Sequence, residues 1–147
     1  MTKEIRIAIA ADHGGFVLKE KIKDYLEAMG YSVHDYGTFS EESVDYPDFA
    51  RKVAKAVANG ECERGILLCR NGIGMSIAAN RFKNVSAATC NDVETAKSSR
   101  VHDDTNVLSL GADFLDDKEA TAIVDSWIRT EFDDSERRIR RIRMIDE

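Results

Sequence analysis

The fold of this chain is decided by residues 65–80, which read Gly65-Ile66-Leu67-Leu68-Cys69-Arg70-Asn71-Gly72-Ile73-Gly74-Met75-Ser76-Ile77-Ala78-Ala79-Asn80. The apolar run Ile66–Leu68 predicts a buried central strand, and the glycines that follow predict a tight loop before a helix that begins near Met75. A strand, a glycine loop and a helix N-terminus form an anion site, because free backbone N–H groups and the positive end of the helix dipole point at the ligand. We expect Cys69 to lie at the edge of this anion site.

Two interpretations of the loop stay open on these residues alone. A thiol beside an oxyanion-binding loop is the arrangement that proton transfer next to a carbonyl requires. The plainer interpretation is that Asn71-Gly72 forms an ordinary turn and that Cys69 is a small buried hydrophobic residue. Residues elsewhere in the chain are needed to choose between these two interpretations.

The composition is that of a globular protein with one core. The chain has 147 residues, of which 43% are apolar and 33% charged, and this suits a single domain over residues 1–147. No apolar run is long enough to cross a bilayer, and the N-terminal segment predicts the start of a strand rather than an export signal. Three cysteines do not form a disulfide framework, so we expect reduced thiols and a cytoplasmic protein with no membrane partner. A net charge of −6 argues against nucleic-acid binding.

Strands and helices alternate along the whole chain. Apolar and β-branched runs predict five strands, at Ile5–Ala11, Tyr31–Tyr36, Ile66–Leu68, Val85–Cys90 and Val107–Leu110. Helical spacing predicts six helices, at Phe16–Met29, Pro47–Asn59, Met75–Arg81, Val93–Val101, Lys118–Thr130 and Ser135–Asp146. The alternation predicts a five-stranded parallel sheet with helices on both faces, which is a Rossmann-like three-layer α/β/α sandwich.

Polar residues follow the strands at the edge where such a sheet binds ligands, beyond the carboxyl ends of its strands. Asp12 and His13 follow the first strand, and Cys69–Gly74 ends the third. We therefore expect these residues to share one crevice. The Asp45-Tyr46 turn enters a helix and should lie at the same edge.

The segment His102–Asn106 occupies a different place in the pattern, because it follows a helix and precedes a strand. It should lie at the opposite, amino edge of the sheet, where His102 could reach Cys69 only of a partner chain in a two-fold dimer. The alternative is a solvated helix end with a histidine near the C-terminal dipole. On the residues alone, this simpler interpretation is slightly preferred.

The last predicted helix is rich in arginine. Arg137 and Arg141 are four residues apart and therefore share one helical face. Two guanidinium groups on one face can clamp a phosphate, although a solvated helix face is the plainer interpretation.

Five blocks of the sequence follow a family pattern in matching order. They are Ala11–Phe16 (ADHGGF), Ser43–Pro47 (SVDYP), Gly65–Cys69 (GILLC), Gly72–Asn80 (GIGMSIAAN) and Ser99–Asn106 (SRVHDDTN). Together they resemble the ribose-5-phosphate isomerase B family, which includes the two galactose-6-phosphate isomerase subunits. The resemblance covers nearly the whole chain.

The resemblance implies an aldose–ketose isomerase of the pentose phosphate pathway that acts on a sugar phosphate without metal or cofactor. It implies a homodimer or a dimer of dimers with shared active sites, with the C-terminal helix packed on a partner subunit. Cys69 would be the base that moves a proton between C1 and C2, and we expect a helix N-terminus to lower its pKa. His102 of the partner subunit would assist opening of the sugar ring, which favours the cross-subunit interpretation of this residue. The implied substrate contacts are Asp12, His13, Asp45, Tyr46, Arg70, Asn71, Gly72, Ile73, Gly74, Asp103, Arg137 and Arg141.

The chain departs from the family pattern at charged positions near the implied site. Arg70-Asn71 stands where the family usually has Gly-Thr, and Asp103 stands where it usually has Asn. Asp113 stands where a phosphate-binding arginine is common. We hypothesise that Arg70 and Arg138 offset these two carboxylates.

Two other functions stay open at this point. The substrate could be another sugar phosphate, such as galactose 6-phosphate, allose 6-phosphate or a tetrose phosphate, because the sequence does not show the length of the pocket. The chain could also be a non-catalytic sugar-phosphate-binding module, which the altered loop favours and the retained Cys69 and His102 oppose. A dinucleotide-dependent redox enzyme does not fit, because no G-x-G-x-x-G turn follows the first strand.

Overall fold

The computed structural model describes residues 4–147, so the first three residues of the segment expected to start the first strand lie outside the described range. Within that range, five strands form one sheet: β1 (Arg6–Ala11), β2 (Ser32–Asp35), β3 (Arg64–Cys69), β4 (Ala87–Thr89) and β5 (Val107–Gly111). The strand order is β2-β1-β3-β5-β4, and every neighbouring pair is parallel. The predicted parallel sheet is confirmed.

Six helices connect and flank the strands in the described range: α1 (Phe16–Ala28), α2 (Tyr46–Ala58), α3 (Ile73–Ala79), α4 (Val93–Asp103), α5 (Asp117–Arg129) and α6 (Glu136–Ile145). A 3-10 turn, Ala112–Phe114, follows β5. Among residues 4–147, none of these helices has the length and apolar character that a membrane span needs.

Three boundaries differ from the prediction in ways that matter for the site. β4 is shorter than predicted at both ends. α3 begins earlier than Met75, because Gly72 adopts a left-handed φ of 78° and ends the loop. α4 continues past Val101, so His102 lies in its last turn, and the helix ends at Asp104, whose φ is 50°.

The sheet is covered on both faces, which gives the molecule two apolar layers. On one face, β-strand residues such as Ile9 and Leu68 pack against α1, α4 and α5, with Trp127 of α5 fully buried. On the other face, Leu67 and its neighbours pack against α2 and α3, including Met75. Strands that are buried on both faces need continuous apolar runs, and this is why β3 could be recognised in the sequence.

The C-terminal helix α6 stands apart from these layers. None of its residues is buried. It is tied to the body by Arg138, whose Nη1 donates to the Val101 carbonyl at 3.1 Å and whose Nε lies 3.4 Å from Asp133 Oδ2. The expectation that this helix packs on a partner subunit stays a prediction.

The topology creates a crevice between β1 and β3. The chain proceeds from β1 outward to β2 on one side, and the later strands add on the other side, beyond β3. Ligands of open α/β sheets bind where the strand order reverses in this way, beyond the carboxyl ends of the strands. Asp12 and Cys69 stand at those two ends.

Candidate active site

A cleft of about 260 Å³ opens between the carboxyl ends of β1 and β3. We call it the thiol cleft, and its walls are Asp12, His13, Tyr46, Cys69, Arg70, Asn71 and Gly74. The structure thus brings together the segments that follow β1 and β3 and the first residue of α2, as expected for one edge of a parallel sheet.

The Cys69 thiol lies inside the turn that follows β3, and the amide edge of that turn faces it. The Gly72 N–H donates to Sγ at 3.1 Å. The Ile73 N–H donates to Asn71 Oδ1 at 2.9 Å, and this oxygen lies 3.9 Å from Sγ. An oxygen atom can therefore occupy the space between a loop amide and the sulfur, since the Asn71 side chain places one there.

Gly72 allows this geometry because it has no side chain. Its φ of 78° is in the left-handed region, and a Cβ at this position would lie 2.9 Å from the carbonyl carbon of Leu110. A residue with a Cβ would have to push the loop away from β5. The distance between the loop amides and the thiol therefore depends on this glycine.

Burial raises the pKa of the Cys69 thiol, and the negative charge of Asp12 adds to the effect. The N–H groups of Gly72, Met75 and Asn71 act in the opposite direction, but desolvation is the larger influence. The expectation that the helix N-terminus lowers this pKa is therefore wrong for the single chain. The sequence showed the helix start but not how deeply the sulfur is buried.

The carbonyl edge of the same turn faces the sheet. The Gly72 carbonyl accepts hydrogen bonds from Ser109 Oγ at 2.5 Å and from Thr89 Oγ1 at 3.2 Å. Neither hydroxyl was predicted to belong to the site. Ser109 carried a weak signal, since it is a polar residue inside an apolar strand, whereas Thr89 at a strand end carried none.

Asp12 and His13 are held by the backbone around them. Asp12 Oδ1 accepts from the Gly14 and Gly15 N–H groups at 2.9 and 3.2 Å. The Val44 N–H donates to His13 Nδ1 at 3.1 Å. Because Nδ1 is an acceptor there, the neutral ring carries its proton on Nε2.

Tyr46 forms the wall opposite the loop. A Cβ at Gly74 would lie 2.6 Å from Tyr46 Cε1, so the ring packs directly on the loop backbone. Asp45, its neighbour, is not brought to the thiol cleft. Asp45 lines an open groove along α2 with Asp48 and Lys52.

Arg70 and Asp113 form an ion pair at the mouth of the thiol cleft. Arg70 Nη1 lies 3.6 Å from Asp113 Oδ1, and the Asp113 N–H donates to the Arg70 carbonyl at 3.0 Å. The Arg70 stem crosses Gly14, where a Cβ would lie 2.6 Å from Arg70 Cγ. The geometry supports the hypothesis that Arg70 offsets Asp113. Arg138, in contrast, pairs with Asp133.

A second cleft of about 480 Å³ lies at the amino edge of the sheet, between the end of α4 and α6. We call it the arginine cleft. Its walls are His102, Asp103, Arg137, Arg138, Arg141, Ile142 and Ile145. The structure therefore keeps His102, Asp103, Arg137 and Arg141 away from Cys69 of the same chain. Within one chain, Arg70 cannot offset Asp103.

The loop residue Ile73 contributes its amide to the thiol cleft but not its side chain. That side chain is 52% exposed on the outer face of α3, as is Ile77 one turn later. Within residues 4–147, no group of three or more His, Cys, Asp or Glu side chains is arranged to hold a metal ion.

A known protein family and a solved structure are among the matches to this chain. The sequence model of the family described as Ribose/Galactose Isomerase matches residues 7–145. The structure resembles that of ribose-5-phosphate isomerase B from Clostridium thermocellum, with a TM-score of 0.94 and 47% identity over 96% of this chain and 95% of that chain.

Two curated relatives are named for different substrates. The chain is 44% identical over 128 residues to ribose-5-phosphate isomerase B of Escherichia coli, which is 87% of this chain and 86% of that protein. It is also 39% identical over 130 residues to D-erythrulose-4-phosphate isomerase of Pectobacterium atrosepticum, which is 88% of this chain and 86% of the relative.

Proposed function

This chain belongs to the ribose/galactose isomerase family, and on that premise we propose that it interconverts ribose 5-phosphate and ribulose 5-phosphate through an enediolate, with Cys69 as the base. The observation that carries the proposal is the position of the thiol inside a turn whose amides face it. A base and oxyanion donors within one turn suit proton transfer next to a carbonyl.

The reaction divides into two proton transfers at one sulfur. The Cys69 thiolate takes the proton from C2 of the open-chain aldose, the C–H electron pair forms the C1–C2 double bond, and the carbonyl oxygen becomes the enediolate oxygen. The thiol then returns the proton to C1, and the hydroxyl proton moves from O2 to O1, which leaves a ketone at C2 and a hydroxyl at C1. Every electron stays within the substrate, so the step needs no redox partner.

The enediolate oxygen needs donors at the moment when its charge develops. Asn71 Oδ1 already accepts from the Ile73 N–H close to the sulfur, so a substrate oxygen at this position would replace it. Amides aimed at a developing oxyanion contribute roughly 3–4 kcal/mol each in comparable sites. We assign the role of oxyanion donors to the amides of the Arg70–Gly74 loop.

The remaining groups come from a second copy of the chain. α3 starts at the thiol cleft and runs toward the amino edge, where the loop after it shares a groove of about 720 Å³ with Asp103, Ile142 and Ile145. Its outer face exposes Ile73 and Ile77, each to 52%. A two-fold dimer that covers this face with a second α3, running in the opposite direction, brings each thiol cleft to the arginine cleft of its partner.

Such a dimer also supplies the charges that the thiol cleft lacks. Within residues 4–147, Arg137 and Arg141 have no ion-pair partner, although they line a cleft with His102. Brought to the thiol cleft by the partner, the two guanidinium groups would hold the phosphate, and His102 would assist ring opening. Positive charge near the sulfur favours the thiolate, so in the dimer it would offset part of the effect of burial and leave the pKa of Cys69 raised to a smaller extent.

A tetrose phosphate is the second candidate substrate. It is favoured by the likeness to D-erythrulose-4-phosphate isomerase together with the ion pair that Arg70 and Asp113 form at the cleft mouth. A side chain that projects there can shorten the space for the sugar. The chemistry at Cys69 would be the same.

An isomerisation assay over a panel of aldose phosphates tests the proposal. Ribose 5-phosphate, erythrose 4-phosphate, allose 6-phosphate and galactose 6-phosphate are each incubated in D₂O, and ketose formation and deuterium incorporation are followed by NMR. We expect the highest kcat/KM with ribose 5-phosphate and deuterium at the exchanged carbon. Binding of these sugars without turnover or exchange would contradict an isomerase and favour a binding module.

A further inference from the structure

Both backbone polar groups of Gly72 are hydrogen-bonded, and the orientation of the loop at the thiol cleft depends on these bonds. Its N–H donates to Cys69 Sγ at 3.1 Å, and its carbonyl accepts from Ser109 and Thr89 on two different strands. We propose that Ser109 and Thr89 are positioning residues for catalysis, which hold the Gly72 carbonyl against the sheet so that the loop amides stay turned toward the thiol. The inference deepens the proposed function and rests on it.

In the described part of the chain, the Ser109 hydroxyl forms no hydrogen bond other than the one to the Gly72 carbonyl. Its side chain is fully buried in β5, between Leu108 and Leu110, which both pack into the apolar layer formed with α1, α4 and α5. A buried hydroxyl is costly unless it forms a hydrogen bond. The hydrogen bond that it forms among residues 4–147 leads to Gly72, 37 positions away in the sequence, at 2.5 Å.

Thr89 reaches the same carbonyl from the neighbouring strand. It is the last residue of β4, and its Oγ1 lies 3.2 Å from the Gly72 oxygen. β4 and β5 are paired with Thr89 beside Ser109. Two hydroxyls on adjacent strands therefore converge on one carbonyl, and the Ser76 N–H of the first helical turn adds a longer contact at 3.4 Å.

This carbonyl needs such support because it belongs to a glycine. Glycine crosses between regions of backbone conformation with little steric penalty. Rotation of the peptide plane between Gly72 and Ile73 would turn the carbonyl oxygen toward the thiol and the Ile73 N–H away from it. A partial negative charge would then face the position where the enediolate forms. By holding the carbonyl oxygen against the sheet, the two hydroxyls keep the N–H groups of the loop on the side of the thiol.

A purely structural role makes different predictions. If the hydroxyls served only to stabilise the start of α3, their removal would lower the stability of the fold and leave the turnover of folded enzyme unchanged. If they position the amides, turnover falls while the affinity for substrate is kept, because the amides act mainly on the transition state.

The test uses Ser109→Ala, Thr89→Val and their combination. Thr89→Ser is the conservative variant, since it keeps the hydroxyl, and Thr121→Val is the matched control, since the Thr121 hydroxyl donates only to carbonyls within α5. The readouts are kcat and KM for the sugar phosphate that the panel assay identifies, and the pH titration of the Ile73 amide signal by NMR. Both are measured at a temperature where circular dichroism shows a folded protein.

We expect kcat to fall about tenfold in each single variant, equivalent to about 1.4 kcal/mol, and further in the double variant, with KM within about twofold. Thr89→Ser should keep most of the activity, and Thr121→Val should match the wild type. In the wild type, the Ile73 amide signal should follow the ionisation of Cys69, because this N–H donates to the Asn71 oxygen beside the sulfur, and this response should weaken in the double variant. Because Thr89 is only partly buried, its variants test the proposal even if Ser109→Ala does not fold.

Unchanged kcat in the folded double variant would overturn the proposal, and so would a loss of kcat with an unaltered Ile73 titration. The titration does not depend on the substrate. If the wild type turned over none of the sugar phosphates, the proposed function would fail, while the Ile73 response would still decide whether the hydroxyls position the loop.

Discussion

The thiol cleft and the arginine cleft lie at opposite edges of one sheet, and they are built in different ways. The thiol cleft is formed at the ends of two central strands, with the Cys69 thiol buried and the peptide groups of Gly72 held by hydrogen bonds to Cys69 and Ser109. The arginine cleft is formed by the end of α4 and one face of α6, a helix with no buried residue. Backbone hydrogen bonds therefore shape the first cleft, whereas long and mostly exposed side chains form the second.

This difference indicates a division of labour. The thiol cleft holds the thiol that we propose as the base and the amides that we propose as oxyanion donors, but Arg70, which lines it, is already paired with Asp113. The arginine cleft holds the cations that we propose for the phosphate, together with His102. Loss of the Cys69 thiol should therefore lower kcat, and loss of Arg137 or Arg141 should raise KM.

The largest effect is expected at Cys69. Cys69→Ala removes the proposed base, and we expect kcat to fall by about 10²- to 10⁴-fold, the usual contribution of a positioned general base. Cys62→Ala is the matched control, because Cys62 is also a buried cysteine but lies far from the cleft, after α2. Retention of most of the activity in Cys69→Ala would show that another group is the base.

The wild type should also show the raised pKa of Cys69 in its pH profile. Burial favours the neutral thiol, so the thiolate fraction grows only as the pH rises through the raised pKa. We expect kcat/KM to increase with pH across the neutral range, and the rate of Cys69 alkylation, followed by peptide mass spectrometry, to increase with it. A profile that is already flat at neutral pH would contradict a base with this pKa.

An intermediate effect is expected in the arginine cleft. Arg137→Ala and Arg141→Ala each remove a charge-assisted hydrogen bond to the phosphate, typically about 1.5–3 kcal/mol, so KM should rise by roughly one to two orders of magnitude with little change in kcat. Arg140→Ala and Arg143→Ala are matched controls, because these arginines line the other side of α6. Equal losses in both pairs would mean that only the general charge of the helix matters.

The smallest effect is expected at the mouth of the thiol cleft. Arg70 and Asp113 are 66% and 51% exposed, and exposed ion pairs contribute about 0.2–1 kcal/mol. In a double-mutant cycle of Arg70→Gly and Asp113→Asn on KM, we expect a coupling in this range, with the double variant closer to the wild type than Arg70→Gly alone. Additive changes in KM would contradict the hypothesis that one side chain offsets the charge of the other.

The sequence was most informative where function follows from strand ends. Asp12 and Cys69 could be placed together because they terminate parallel strands, and His102 could be placed at the opposite edge because it ends a helix. These inferences need only the alternation of elements and the geometry of a parallel sheet. They hold without any knowledge of the strand order.

The sequence did not predict those features of the site that depend on the strand order or on the burial of a side chain. Ser109 reaches Gly72 only because β5 lies beside β3, and no local pattern shows that adjacency. The pKa of Cys69 rises because the sulfur is buried, so the expected effect of the helix start was outweighed. Arg70 and Asp113 meet because their loops end neighbouring strands, although they are far apart in the chain.

The central claim is that each active site is shared between two chains, and mixing inactive subunits tests it most directly. Cys69→Ala and His102→Ala chains are mixed in equal amounts under conditions where subunit exchange is verified by mass spectrometry. Random pairing makes half of the dimers mixed, and each mixed dimer has one intact site, so we predict about a quarter of the wild-type activity. Wild-type chains mixed with the double variant should likewise retain about a quarter. No recovery in the first mixture, with about half of the activity in the second, would contradict the shared site.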